Sequence, residues 1–196
     1  MLDGREVETR VTSLLAVGEY RSAASEVIRG YGPRALGYLH RLLGNETDAS
    51  DAFSLFAEQV WRGMPNFEGR SSVKTWAFKA AWSAAMKVRD DAWRRLREGL
   101  PSSAASHLAD EVRTSTAIRF ESLRQELEVL RSELTAEDQT LLALRLDQEL
   151  TWEEVAEVLS IEGRVVDPAT LRKRYERIKA RLAAIVRERR DRAPKK

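Results

Sequence analysis

Two stretches of the chain carry side chains whose types and spacing could do chemistry, and the chemistry in both is recognition of a polyanion. The first is Asn66-Phe67-Glu68-Gly69-Arg70-Ser71-Ser72-Val73-Lys74-Thr75-Trp76, continued by Phe78, Lys79, Trp82, Lys87, Arg89, Trp93, Arg94 and Arg95. Rings interleave with cations, which suits single-stranded DNA: bases stack on aromatic faces while phosphates meet Lys and Arg. Trp at helical spacing is more often core than a stacking platform, so the pattern alone does not settle the role. The second stretch is Ala169-Thr170-Leu171-Arg172-Lys173-Arg174-Tyr175. On a helix, Leu171 and Tyr175 share the inward face, and Thr170, Arg172, Lys173, Arg174 and Arg177 are left to meet DNA. Arginine reads guanine through paired hydrogen bonds, and lysine is better suited to phosphate. A solvated basic helix closing a bundle has the same composition.

Catalytic chemistry finds no comparable support. Cysteine is absent, and the two histidines, His40 and His107, lie far apart in the sequence. Disulfides and cysteine-ligated zinc are excluded, and no catalytic triad or metal site is expected. There is no Gly-rich phosphate loop. The expectation is a protein with no cofactor and no enzymatic activity. No apolar run approaches the ~20 residues of a membrane span, and the N-terminus lacks a signal-peptide core. A soluble, cytoplasmic protein without membrane insertion is expected.

The elements that must position these stretches read as helices throughout. Gly numbers only 10 and Pro only 5, against abundant Ala, Leu, Glu and Arg, which favours an all-α fold. Tyr20, Ala23, Ala24, Val27, Ile28 and Tyr31 repeat at helical spacing. Gly32-Pro33 is expected to end that helix, and Leu36, Leu39, Leu42 and Leu43 to form a second, stopped by Gly44-Asn45. A third carries Ala52, Phe53, Phe56, Ala57, Val60 and Trp61 on one stripe, with Asp48 where a carboxylate suits the helix dipole. After the break at Met64-Pro65-Asn66-Phe67-Glu68-Gly69, a long helix is expected over about 72–97. Gly99-Leu100-Pro101-Ser102-Ser103-Ala104-Ala105-Ser106 has little periodicity and reads as a linker. Beyond it come a Leu123, Leu127, Leu130, Leu134 stripe and two helix starts, Thr135 through Asp138 and Thr151 through Glu154. Leu171, Tyr175, Ile178, Leu182 and Ile185 mark the last helix, from about Pro168.

Charge divides the chain in the same way. Residues 61–97 hold nine Lys/Arg against three Asp/Glu, 119–162 hold four against twelve, and 163–196 hold thirteen against four. Two basic blocks separated by an acidic one point to two surfaces meeting a polyanion.

The sequence resembles a known family. Tyr31-Gly32-Pro33-Arg34-Ala35-Leu36, Leu42-Leu43-Gly44-Asn45, Asp48-Ala49-Ser50-Asp51 and Trp61 through Trp76 closely resemble region 2 of extracytoplasmic-function (ECF) sigma factors. Leu134-Thr135-Ala136-Glu137-Asp138, Leu144-Arg145-Leu146, Leu150-Thr151-Trp152-Glu153-Glu154-Val155-Ala156 and Ala169 through Arg174 resemble their region 4. The resemblance covers most of 18–95 and 123–187. It implies a region 2-like domain over 1–97, a linker over 98–118 and a region 4-like helix-turn-helix domain over 119–196.

The resemblance also implies partners and roles. Asp48, Asp51, Phe53 and Trp61 would dock on the clamp helices of the largest subunit of core RNA polymerase, and the flap of the second-largest subunit is a further implied contact. Loop 68–73 would capture a flipped base of the melted −10 element, with Arg70, Ser71, Ser72, Lys74, Trp76, Lys79, Ser83 and Lys87 as the −10 contacts. Thr170, Arg172, Lys173, Arg174 and Arg177 would read the −35 element as duplex. Promoter DNA and an anti-sigma factor complete the implied partners. Three departures stand out. Ser54 and Leu55 replace a Gln-Glu pair of the docking helix, Ser83 replaces an Asn of the −10 helix, and the connection 160–169 is about five residues longer than the usual tight turn. That connection is expected to be a small extruded loop, since surface insertions add little closure entropy, so that deleting 163–167 preserves folding. The altered docking pair keeps open an alternative: a sigma-like DNA-binding regulator that does not program polymerase.

Overall fold

In the computed structural model the chain divides into two compact units, Met1–Arg124 and Gln125–Lys196; the residues described are 4–89, 103–116, 134–160 and 165–192. All regular structure among them is helical, as the composition indicates.

The first unit is built on α2 (Tyr20–Leu43), a single helix of 24 residues. The expected break at Gly32-Pro33 does not occur. Pro33 removes one backbone donor, but Val27, Ile28 and Tyr31 before it and Leu36, Tyr38 and Leu39 after it are all buried. Packing on both sides outweighs the one lost hydrogen bond. Gly44 does end the helix, at φ 82°, with its N–H donating to the His40 carbonyl. That left-handed conformation suits a residue without Cβ.

Around α2 lie α1 (Gly4–Ala16), α3 (Glu46–Gly63) and α4 (Val73–Arg89). Phe53 and Phe56 of α3 stack at 5.5 Å in the middle of the core, and Tyr38 meets Phe78 of α4 edge-on at 6.0 Å. α1 approaches α2 at Gly30. A Cβ there would lie 2.6 Å from a Val7 methyl, and Val7 and Val11 are fully buried. Gly30→Ala therefore forces α1 off its seat, and we expect it to destabilise the first unit by about 1–3 kcal/mol. Urea unfolding measures this directly, and a variant as stable as the parent would place α1 elsewhere.

The segment 98–118, expected to be a linker, contains a further helix, α5 (Ser103–Thr116). It packs on both α2 and α3 through the buried Leu108, Ala109 and Val112. Its seat is Gly32 of α2, where a Cβ would meet Val112 at 3.4 Å and Phe53 at 3.3 Å. Three small or medium apolar residues make too weak a stripe to announce a helix. The space that receives them belongs to another element about 80 residues away in the sequence.

In the second unit Thr135 caps α6 (Ala136–Leu142) by accepting from the Asp138 N–H. A π-helical turn, Ala143–Asp147, continues it. Thr151 and Glu154 form a complete capping box for α7 (Trp152–Leu159), and α8 runs over Pro168–Arg192. Leu141, Leu144, Leu150, Val155, Val158, Leu171 and Ile178 make the core, whereas Leu146 is 58% exposed. The 123–130 part of the leucine stripe, together with Trp93, Arg94 and Arg95, lies outside the described residues.

Candidate nucleic-acid interface

α4 presents one partly exposed stripe. Ser72, Trp76, Lys79, Ser83 and Lys87 recur at spacings of four, three, four and four, and all retain exposure. Lys74 stands apart: two residues from Trp76 is about 200° around the helix. Phe78 is fully buried and Trp82 is 3% exposed, so these two rings are core. Trp76 is the half-exposed ring of the stripe. It packs on Phe67 with ring centroids 5.3 Å apart. Gly63 makes room for it, since a Cβ there would sit 3.0 Å from the indole.

The turn before α4 is fixed on both sides. Gly69 takes a left-handed φ of 69° and turns the chain so that Glu68 and Arg70 face solvent, joined by an exposed ion pair at 3.1 Å. Such a pair contributes little, so Arg70 can leave it for a phosphate or base. Ser72, expected among the base-contacting residues, caps α4: its hydroxyl accepts from the Thr75 N–H at 3.0 Å, and its carbonyl accepts from the Trp76 N–H. The Ser72 and Thr75 hydroxyls also share a hydrogen bond of 2.7 Å.

On α3 the expected docking residues separate. Phe53 is fully buried and cannot touch a partner surface; its sequence stripe was the core stripe. Asp48 and Asn45 cap the helix reciprocally: the Asp48 N–H donates to the Asn45 side-chain Oδ1 and the Asn45 side-chain Nδ2 donates to the Asp48 carboxylate, both at 2.7 Å. Asp51 and Trp61 are half-buried. Leu55, where the resemblance expects an acid, is 5% exposed. Ser54 is exposed and accepts from Arg113 of α5 at 2.9 Å. The same guanidinium nitrogen reaches the Ser50 carbonyl and hydroxyl at 3.1 and 3.0 Å.

In the second unit, Arg172, Lys173 and Arg177 of α8 are exposed. Arg172 lies over the Trp152 ring at 5.8 Å, and Arg145 lies over it at 5.0 Å. Tyr175 meets the same ring edge-on at 5.3 Å. Arg174, expected to read DNA, points inward instead. Its guanidinium donates to Asp138 at 2.5 Å, Glu137 at 2.6 Å and Thr135 at 3.1 Å. Desolvation lowers its pKa, but the hydrogen bonds to Glu137 and Asp138 outweigh this and raise it above the ordinary value. From the sequence, Arg174 could not be told from its neighbours, because its acceptors lie 36 and 37 residues earlier.

Asp167 caps α8. Its carboxylate accepts from the Thr170 N–H at 2.8 Å and the Thr170 hydroxyl at 2.9 Å, so Thr170 takes part in the cap. These two bonds, with the Ala169 N–H and the charge of Lys173, hold the Asp167 carboxyl below the ordinary aspartate value against the opposing effect of desolvation. A depressed carboxyl stabilises the helix start above its unfolded pKa and loses that contribution as pH falls through its folded pKa. The Thr170 amide resonance should therefore titrate with a midpoint below that of an ordinary aspartate, and an amide that does not move in acid would remove Asp167 from the cap.

The long connection is tied at its neck. The Val166 N–H donates to the Ser160 hydroxyl at 3.0 Å, which itself donates to the Ala156 carbonyl, and Val165 is 92% exposed. The shortening expected to be harmless must therefore stop before Val166, because a cut through 167 removes the cap. Replacing 161–165 by one Gly should leave the unfolding midpoint unchanged, whereas deleting 163–167 should lower it; the opposite order would make the loop part of the core.

Among the described residues no three potential ligands cluster to hold a metal, and no helix is long and apolar enough to cross a membrane. Comparison with known proteins fits this geometry. The sigma-70 region 2 family matches residues 27–96, which include most of α2 and all of α3 and α4. A Bacillus subtilis protein, RNA polymerase sigma factor YlaC, is 29% identical over 164 residues, covering 81% of this chain and 91% of its own length. That alignment is longer than either unit. The helices carrying the α4 stripe are thus the ones that match sigma-70 region 2, and over most of its length the chain is similar to an RNA polymerase sigma factor.

Proposed function

We propose that the chain directs RNA polymerase to promoters, reading a melted −10 element with turn 68–72 and the α4 stripe, and a duplex −35 element with the first turns of α8. One observation carries the −10 half: a ring and two cations, Trp76, Lys79 and Lys87, share one accessible face of a helix whose other aromatics are buried. An unstacked base can lie on Trp76 while Lys79 and Lys87 meet phosphates. In α8, Arg172 and Arg177 are the base-reading candidates and Lys173 a phosphate contact. The protein supplies recognition and no bond-making chemistry, acts in the cytoplasm with polymerase, and is held inactive by an anti-sigma partner.

The test is transcription from fragmented source genome by purified core polymerase, with and without the protein. New transcripts sharing an upstream motif are expected, and their absence despite polymerase binding would count against the α4 assignment. Within that motif, Arg172→Ala should relax base preference at one −35 position by about 1–3 kcal/mol, leaving −10 preference unchanged. A DNA-binding regulator that does not program polymerase remains the second reading. It is favoured by the outer face of α3, where Ser50 and Ser54 are bonded to Arg113 and Leu55 is buried. Failure to bind core polymerase selects it.

A further inference from the structure

Glu8 of α1 reaches the start of α4, 65 residues away. Its carboxylate accepts from the Val73 N–H at 3.0 Å and the Lys74 N–H at 2.9 Å. Ser72 takes the next N–H, that of Thr75. The first three backbone donors of α4, unpaired in an isolated helix, are therefore all satisfied, two of them by a group from a different helix. Glu8 is itself held. The Tyr31 hydroxyl, in a side chain 1% exposed, lies 3.0 Å from it, and its neighbour Val7 is seated against Gly30. α1 lies outside residues 27–96, the part matched as region 2.

We infer that Glu8 is a positioning residue for −10 recognition: it sets the angle at which turn 68–72 leaves α4 and keeps DNA phosphate away from the helix start. This rests on the −10 reading above. A helix N-terminus attracts anions through its free N–H groups and its dipole. In this protein that place is filled from within, so a DNA phosphate cannot use it as an anchor and slide the strand along the turn. The bases then meet Arg70, Ser71 and Trp76 in one register. Glu8→Gln removes the charge and leaves only one oxygen to accept, while its amide group points a donor at a backbone donor. The turn loosens and the helix start becomes open to phosphate.

The effect on specificity is distinct from an effect on folding. The probes are two single-stranded oligonucleotides, one carrying the −10 motif recovered from the genome-fragment transcription and one with that motif scrambled, each titrated against polymerase holding the full chain. For Glu8→Gln the preference for the −10 strand is expected to fall about tenfold, the equivalent of one charge-assisted hydrogen bond, while the scrambled strand binds at least as well as before. Equal losses on both strands would overturn the inference, since a loss of folded protein lowers both affinities alike and leaves their ratio unchanged. If Glu8→Gln does not assemble with polymerase, Tyr31→Phe, which frees the carboxylate without removing it, should lower the same ratio; an unchanged ratio there also overturns it. A parent protein that does not distinguish the two strands would instead remove the −10 reading on which the inference rests.

Discussion

Phe53→Ala is expected to destabilise the first unit by about 3–5 kcal/mol, the cost of a large cavity where the surroundings cannot collapse. Phe53 is fully buried, stacks on Phe56 and lies against Gly32 at the point where α5 crosses α2. Removing the ring leaves α2, α3 and α5 without their shared contact, so the loss is expected at the high end of that range. Urea denaturation followed at several wavelengths measures it. Arg70→Ala, at a side chain 84% exposed, should change stability by no more than about 0.5 kcal/mol. A Phe53→Ala protein of normal stability that binds polymerase poorly would restore the docking role its position in the sequence implies.

Arg174→Ala is expected to cost the second unit about 2–3 kcal/mol. The Arg174, Asp138 and Glu137 side chains are 28%, 12% and 33% exposed, sheltered enough for charge-assisted bonds to count and wet enough that the full penalty of a buried orphan charge does not apply. The bonds join α6 to α8, so their loss should appear as faster amide exchange along both helices. Arg174→Lys should recover little, because an ammonium cannot direct bonds to three acceptors in the guanidinium's plane. Arg172→Ala and Arg177→Ala should leave exchange unchanged and weaken DNA binding. The reverse pattern, with Arg174→Ala stable and defective only toward −35 DNA, would return Arg174 to the reading surface.

Much of the chain was legible before any coordinates. The stop at Gly44, the break over 64–69, the cap at Thr135, the capping box at Thr151 and Glu154 and the start of α8 near Pro168 are written in residues close to one another in the chain, and local backbone chemistry determines them. The stripe of Trp76, Lys79, Ser83 and Lys87 is equally local, since helical periodicity decides which side chains share a face. What the tertiary structure decided is what the neighbours of each face are. Pro33 sits inside a helix because buried side chains on both sides keep the helix whole. The stretch 103–116 finds its seat because Gly32 leaves room for Val112 beside Phe53. Arg174 is a clamp because Glu137 and Asp138 stand opposite, and Glu8 serves α4 because Gly30 lets α1 lie close. Each of these depends on partners tens of residues apart, and periodicity, which reports only that a face will be buried or wet, carries no record of what will bury it.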